Sequence, residues 1–446
     1  MRKPPTDGAA EGQETPKGDS CMTTPRNLSV SVENFGPVRE GKFELSPLTL
    51  FIGPNNSGKS SVFQALLALR QAAERNDSEL FRPLLAEQIV ELGGFEDVVR
   101  AGEGEISISF SGMLPIEQAR GVQAAVEVAA EVNVQENRVS FHTGHLGLFG
   151  NRYDWRHEPA LGPLEFTISI ENGTLTLRPQ HSFRFIDHGG IRLTGGLPPR
   201  TQAEVVSFAQ NLAWSPTTFL RSLRPVFPLR GFEEWGYPVP EKPEADVDKL
   251  RLADRAMALV SILFYDREKL DRLSNWLEEL LDVRLEIRPV VPKRLTIRAV
   301  RADGKGQDIP FTNEGTGANQ MPFILLPIGL ASPTDTIMIS EPEAHLHPKA
   351  QTDLTRLLLT IHKKENRQFA IETHSEHVLH AFLHAVASGE LEKESLAIYY
   401  FENVNGVAKV RRLEIDEKGR VAGGLPGFFE HSLSELSAYL DTFGKE

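Results

Sequence analysis

Gly53-Pro54-Asn55-Asn56-Ser57-Gly58-Lys59-Ser60 follows the apolar run Leu48-Thr49-Leu50-Phe51-Ile52 and leads into Ser61-Val62-Phe63-Gln64-Ala65-Leu66-Leu67. The octet has the G-x-x-x-x-G-K-[ST] spacing of a phosphate-binding loop, between the strand and the helix that such a loop requires. Its glycines let the chain wrap an anion, and the N–H groups opening the helix supply fixed positive potential. Gly53, Asn55, Asn56, Ser57, Gly58, Lys59, Ser60 and Ser61 are therefore the candidate nucleotide-binding residues. Lys59 would reach the β- and γ-phosphates, and the Ser60 hydroxyl would ligate Mg²⁺.

Upstream, Leu28, Val30 and Val32 alternate with polar residues as in a half-buried strand, and residues 43–53 are expected to form a second strand. Downstream, short alternating runs at 106–110, 139–143, 164–170 and 175–179 predict an antiparallel sheet. Helical spacing predicts a helix over about 266–281, carrying Leu270, Leu273, Trp276, Leu277 and Leu280. The last third returns to α/β, with strands at 336–340 and 368–373, helices after each, and a hairpin around Asn405-Gly406. The end, GFFEHSLSELSAYLDTF, predicts a closing amphipathic helix.

Composition narrows the classes. Of 446 residues, 48 are Lys or Arg and 61 are Asp or Glu, for a net charge of −13. That argues against a surface coated for nucleic acid. A single cysteine, Cys21, excludes a disulfide scaffold and a Cys-rich zinc site. No apolar run approaches the roughly 18 residues of a membrane helix, so no membrane association is expected. The opening MRKPPTDGAAEGQETPKGDS has no apolar signal core, and a cytoplasmic protein is the expectation. Residues 1–26 have almost no large apolar side chains and read as a disordered tail.

Two more strand ends carry chemistry. Thr336-Ile337-Met338-Ile339-Ser340 runs into Glu341-Pro342-Glu343, an apolar strand delivering carboxylates in the manner of a Walker B element. One carboxylate would orient Mg²⁺ and another polarise water; Ser60, Glu341 and Glu343 are the candidate metal residues, and the resemblance given below makes Glu341 the candidate base. Glu372-Thr373-His374-Ser375 closes the next strand, where His374 could touch a γ-phosphate or position water. The catalytic set is thus Glu341, His374 and Lys59.

These motifs together resemble ATPases with an ABC-type head, such as the SMC, recombination-repair and overcoming-lysogenization-defect proteins. The carrying residues are NF…IGPNNSGKSS, SEPEAHLHPKAQ and ETHSEHVL, with PLRGF at 228–232. The chain is most similar to bacterial AAA-family ATPases with a C-terminal domain of unknown function, which Tyr399–Phe443 resembles. The resemblance implies an α/β fold, a P-loop NTPase head of ABC type with an inserted mainly-β lobe and a small C-terminal α+β element. It divides the chain into the tail (1–26), the first half of the head (27–100), an inserted lobe (101–300), the second half of the head (301–394) and the C-terminal domain (395–446). It also makes Glu314–Gln320 a signature-like motif, with Gly315, Gly317, Asn319 and Gln320 contacting ATP bound to a second subunit. A Q-loop equivalent is sought within Glu87–Asp97.

ATP and Mg²⁺ are the implied ligands, and a homodimer across ATP is the implied assembly. One departure stands out: Ser340 occupies the place of the usual Mg²⁺-directing acid. The expected consequences are weak Mg²⁺ affinity and slow hydrolysis, unless Glu341 or Glu343 shifts to help. Three functions stay open. One is an ATP-hydrolysing switch whose pairing controls a partner, such as a nuclease or toxin effector in anti-phage defence. Another is a DNA-repair or DNA-maintenance ATPase gripping DNA, and the third is a catalytically weak, nucleotide-responsive scaffold. His345 and His347, two residues apart, fit a dimer-contacting loop better than a zinc site. Arg288, Lys293, Arg294, Arg298, Arg301 and Lys305 fit a solvated strand surface better than a phosphate track. Trp235 and Tyr237 are expected to pack.

Overall fold

A computed structural model describes residues 28–75, 79–81, 90–100, 102–117, 123–148, 151–157, 166–170, 173–177, 191–194, 218–228, 230–241, 252–301 and 308–424. The expected tail, Lys305 and the expected closing helix lie outside these residues. In chain order the strands are β1 (Leu28–Phe35), β2 (Val38–Leu45), β3 (Leu48–Ile52), β4 (Glu105–Glu117), β5 (Gln123–Gln135), β6 (Arg138–Leu148), β7 (Asn151–His157), β8 (Phe166–Ile170), β9 (Gly173–Leu177) and β10 (Ile191–Thr194). They continue with β11 (Leu223–Val226), β12 (Tyr237–Pro238), β13 (Val283–Val291), β14 (Arg294–Arg301), β15 (Ile309–Pro310), β16 (Thr336–Ser340), β17 (Gln368–Thr373), β18 (Leu396–Val404) and β19 (Val407–Leu413). The helices are α1 (Lys59–Arg75), the single turn α2 (Phe95–Val98), α3 (Leu252–Tyr265), α4 (Arg267–Leu281), α5 (Thr316–Leu330), α6 (Pro348–Glu365) and α7 (Glu376–Ala387).

The sequence expectation of one strand over 43–53 is corrected to two, β2 and β3, separated at Ser46-Pro47. Proline has no N–H to give a ladder. The break lets β2 pair antiparallel with β1 while β3 runs parallel with both β17 and β18.

The parallel strands lie in the order β18-β3-β17-β16-β11, so β17 separates the strand before the phosphate loop from the strand before Glu341. On the far side of β18, β19 and β2 lead into the antiparallel run β1-β4-β5-β6-β7-β8-β9-β10 of the same sheet. Residues 101–300 thus contribute to both regions, because β11 pairs with β16 in the parallel part. A four-stranded sheet of β12, β13, β14 and β15 packs with α3 and α4.

Parity along the parallel strands assigns each side chain to a face, since successive residues of a strand point opposite ways. Phe51, Met338, Ala370, Tyr399 and Phe401 join the core that contains α1. Leu48, Leu50, Ile52, Ile337, Ile339, Phe369 and Ile371 join the core that contains α5, α6 and α7. Burial on both faces is why these strands read as unbroken apolar runs rather than alternating ones. Fully burying a side chain such as Phe51 is worth about 1.5–3 kcal/mol, and Phe51 meets Phe63, Tyr399 and Phe401 on that face. α4 runs as expected, capped by Asp266 and burying Leu270, Leu273, Leu277 and Leu280, with Trp276 under Arg272.

Candidate nucleotide site

The loop after β3 takes backbone conformations that its glycines permit. Gly53 has φ +148°, and a Cβ there would overlap the carbonyl of Phe401 on β18. Gly58 has φ +98° and faces Ala408 and Pro37. The C-terminal hairpin therefore forms one wall of the loop: Asn403 Nδ2 donates to the Asn56 carbonyl at 2.9 Å, while its Oδ1 accepts from Gly406 N. The predicted hairpin is present, with Asn405 at φ 54° and Gly406 at φ 80° in its turn.

Pro54, Asn55 and Asn56 are exposed, and Lys59 is 4% exposed. Lys59 Nζ donates to the carbonyls of Gly53 (2.9 Å) and Pro54 (2.8 Å), so the ammonium spans the loop. Burial lowers its pKa, and the negative charges of Glu372, Glu341 and Glu343 push the other way. Ser57 Oγ is buried without a hydrogen-bond partner.

The strand ends converge on this loop. Glu341 adopts φ +45°, a left-handed backbone rare for a non-glycine residue. Its N–H donates to the Glu372 carbonyl at 2.8 Å, and its own carbonyl accepts from Arg230 at 2.7 Å. With both backbone groups held, its side chain lies 3.4 Å from His374 Nδ1. Glu343 Oε1 accepts from Thr373 Oγ1 (2.6 Å) and His374 N (3.0 Å), and also lies 3.4 Å from His374 Nδ1. The Ser60 hydroxyl donates to Glu372.

A profile of the AAA ATPase domain matches residues 28–136 and 256–379, more than half of the chain. The chain belongs to the AAA ATPase domain family. Residues 391–438 match a second profile, described as a protein of unknown function (DUF3696). No curated protein matches. Among solved structures, an SMC head domain from Thermotoga maritima is similar at 13% identity and a TM-score of 0.40, covering 87% of this chain and 98% of its own. An Smc head bound to the C-winged helix domain of ScpA gives 12%, 0.45, 88% and 98% for the same measures. An Smc head domain with an extended coiled coil, bound to the C-terminal domain of ScpA and derived from Pyrococcus furiosus, gives 13%, 0.42, 95% and 100%.

In this AAA ATPase, the structure places the residues expected to reach across a dimer in two groups. Gly315 and Thr316 are exposed at the start of α5, whereas Gly317 is buried against the His345 carbonyl. Asn319 and Gln320 are engaged within their own chain. Asn319 accepts from Phe232 N (2.9 Å) and donates to Phe232 O (3.0 Å), an approach helped by Gly231 at φ +144°. Gln320, 2% exposed, accepts from Arg230 Nε and donates to the Ala344 carbonyl. Within the chain, then, Asn319 holds the backbone at Phe232, and Gln320 braces the loop after β16 through the Ala344 carbonyl.

Two residues of this AAA ATPase site went unassigned in the sequence. Arg230 donates to the carbonyls of Phe227, Ser340 and Glu341 and to Gln320, and burial pushes its pKa down to about 10. Its only sequence signal was its place in PLRGF. Glu372 is 2% exposed, and strand parity could have found it, because it lies on the α1 face opposite Ser340.

Several peripheral expectations resolve differently. Tyr237 is buried against Phe232, but Trp235 is 54% exposed, so it does not pack as expected. Arg288, Arg294 and Arg301 pair with Glu286, Asp308, Glu234 and Glu314, and Arg298 donates to the Asp308 carbonyl. His345 and His347 are exposed, and His347 caps α6 by accepting from Lys349 N. Among the described residues no cluster of three or more His, Cys, Asp or Glu could hold a metal alone, and no helix is long and apolar enough to cross a membrane.

Mg²⁺ does not need such a cluster. It keeps several waters and binds through one or two carboxylates together with substrate phosphates. The oxygen-only donors here fit it: the Ser60 hydroxyl, and Oε2 atoms of Glu343 and Glu372 that are buried without hydrogen-bond partners.

The His374 contacts make a pH prediction. Its pKa is raised, first by the hydrogen bond to Glu341 and then by the charges of Glu343 and Glu341. That of Glu341 is lowered, first by the hydrogen bond to His374. The stabilisation from His374 is complete below its unfolded pKa of 6.5 and is lost as pH rises through the raised folded value. That from Glu341 is complete above 4.5 and is lost as pH falls through its lowered folded value. An NMR titration should place the His374 midpoint above 6.5, and Glu341→Gln should lower it. An unchanged midpoint in the variant would disprove the pairing.

Proposed function

We propose that this AAA ATPase is a Mg²⁺-dependent, ATP-hydrolysing switch that pairs with a second copy of itself across bound ATP, and that pairing controls a partner protein. The observation that carries it is the convergence of Lys59, Glu341 and His374 at adjoining strand ends around a phosphate loop. Lys59 would exchange its loop carbonyls for phosphate oxygens. Glu341 would take a proton from the attacking water, and His374 would orient Glu341 and the terminal phosphate. Bound Mg²⁺ would offset charge on the β- and γ-phosphates.

Pairing is supported by the exposed start of α5 at Gly315 and Thr316, the helix end that favours an anion. Paired arginines on β13 and β14 give the DNA-gripping alternative little support. That the partner is an effector in anti-phage defence rests on resemblance alone.

The test is mass in solution by light scattering with Mg²⁺ and a non-hydrolysable ATP analogue. The 49.6 kDa chain should double its mass with the analogue, and Lys59→Ala should abolish the change. Binding of the analogue with no change in mass would reject the pairing switch.

A further inference from the structure

The Walker B strand of this protein ends in Ser340, yet a carboxylate does stand beside the P-loop serine. Ser340 and Glu372 are register partners on adjacent parallel strands. Both share the parity of Met338 and Ala370, so both side chains lie on the α1 face. α1 begins at Lys59 and Ser60 on that face. Glutamate is one methylene longer than aspartate, and from β17 it reaches the Ser60 hydroxyl.

Glu341 pairs with His374, and Glu343 Oε1 accepts two hydrogen bonds from the end of β17. Glu372 Oε1 accepts a hydrogen bond from the Ser60 hydroxyl, whereas its Oε2 is buried with no well-formed hydrogen bond, the Ser340 hydroxyl being its neighbour. Glu343 also has an unpartnered Oε2, but of the three only Glu372 touches the Ser60 hydroxyl. A carboxylate buried with an idle oxygen is costly, and an apolar or amide side chain would be cheaper there. An idle oxygen beside the hydroxyl of a P-loop serine is what a hydrated Mg²⁺ requires.

We infer that Glu372 is the carboxylate that positions Mg²⁺ beside Ser60, delivered from β17 in place of the acid that Ser340 replaces on β16. The metal-directing group has moved one strand toward the P-loop, and the site is not degenerate. This rests on the Mg²⁺–ATP function proposed above. Glu372 is a positioning residue, acting on the metal through its water shell and through Ser60.

The experiment uses the full chain saturated with a non-hydrolysable ATP analogue, with free Mn²⁺ counted by electron paramagnetic resonance. Wild type should bind Mn²⁺. Glu372→Gln should weaken Mn²⁺ binding about 10–100-fold, while metal-free analogue binding is not weakened and the melting temperature is kept or raised. Adding Ser340→Asp to Glu372→Gln should restore Mn²⁺ binding, because the new carboxylate sits at the register partner. Wild-type Mn²⁺ affinity in Glu372→Gln would overturn the inference and leave the ATP function standing. A wild type that binds no analogue would overturn both. Should Glu372→Gln fail to fold, Ser340→Asp combined with Glu372→Thr decides the question. Retained Mn²⁺ binding supports the transfer of the carboxylate, and its loss overturns it.

Discussion

Replacing Glu341 by Gln should lower ATP turnover by about 10²–10⁴-fold, the usual contribution of a positioned general base, while ATP still binds. The expectation follows from how the residue is held. Its N–H is tied to the Glu372 carbonyl and its carbonyl to Arg230, so the backbone position does not depend on the side chain. Its φ of +45° costs about 1–3 kcal/mol for a non-glycine residue, which the flanking hydrogen bonds must offset. Only the carboxylate is left free to work, and it is one-third exposed beside His374. Glutamine keeps the shape and hydrogen-bonding reach but cannot accept a proton from water. ATP affinity by calorimetry and single-turnover hydrolysis separate the two effects. Turnover within a few-fold of wild type would remove Glu341 from the base role, and His374 or Glu343 would become the next group to test.

The parts of this site that were legible in the sequence are those fixed by local rules. The phosphate loop is a contiguous motif, and the strand-loop-helix context is visible as an apolar run followed by good helix formers. His374 was legible because it ends an apolar strand. The antiparallel strands and the hairpin at Asn405-Gly406 followed from alternation and turn chemistry. What escaped depends on which strands become neighbours. Ser340 looked like a loss because its own strand offers no acid at that place. The answer lies 32 residues away on β17, and only the parallel register of β16 with β17 brings the two together. Resemblance to the signature motif makes Asn319 and Gln320 expected contacts to ATP on a second subunit. Their amides are taken up by Phe232, Arg230 and Ala344, which no local pattern indicates. The segment read in the sequence as a C-terminal domain over 395–446 matches its own profile over 391–438, and what the sequence did not show is that β18 lies directly beside β3.

Arg230→Ala should destabilise the fold by about 3 kcal/mol and lower turnover as well, because this side chain ties three segments together. Its guanidinium meets the carbonyls of Ser340 (3.0 Å) and Glu341 (2.7 Å), the Gln320 side chain (3.1 Å) and the Phe227 carbonyl. Removing it takes this donor from the Ser340 carbonyl and leaves the Glu341 carbonyl with the longer bond from Ala344 N (3.2 Å), and a partly buried carbonyl left unsatisfied costs about 1–3 kcal/mol. The position of Glu341 also depends on this clamp, so the loss of stability and the loss of activity share one cause. Arg230→Lys separates charge from geometry. Lysine keeps the positive charge near Glu341 and Glu343, whose fields oppose the burial that lowers the arginine pKa. It cannot spread donors in a fixed planar fork, however. It should therefore recover less than half of the lost stability and little of the lost turnover. Thermal melting and ATP turnover on the three proteins decide the matter. A lysine variant equal to wild type in both would mean that Arg230 acts as a charge, and that the end of β16 holds its shape without the fork.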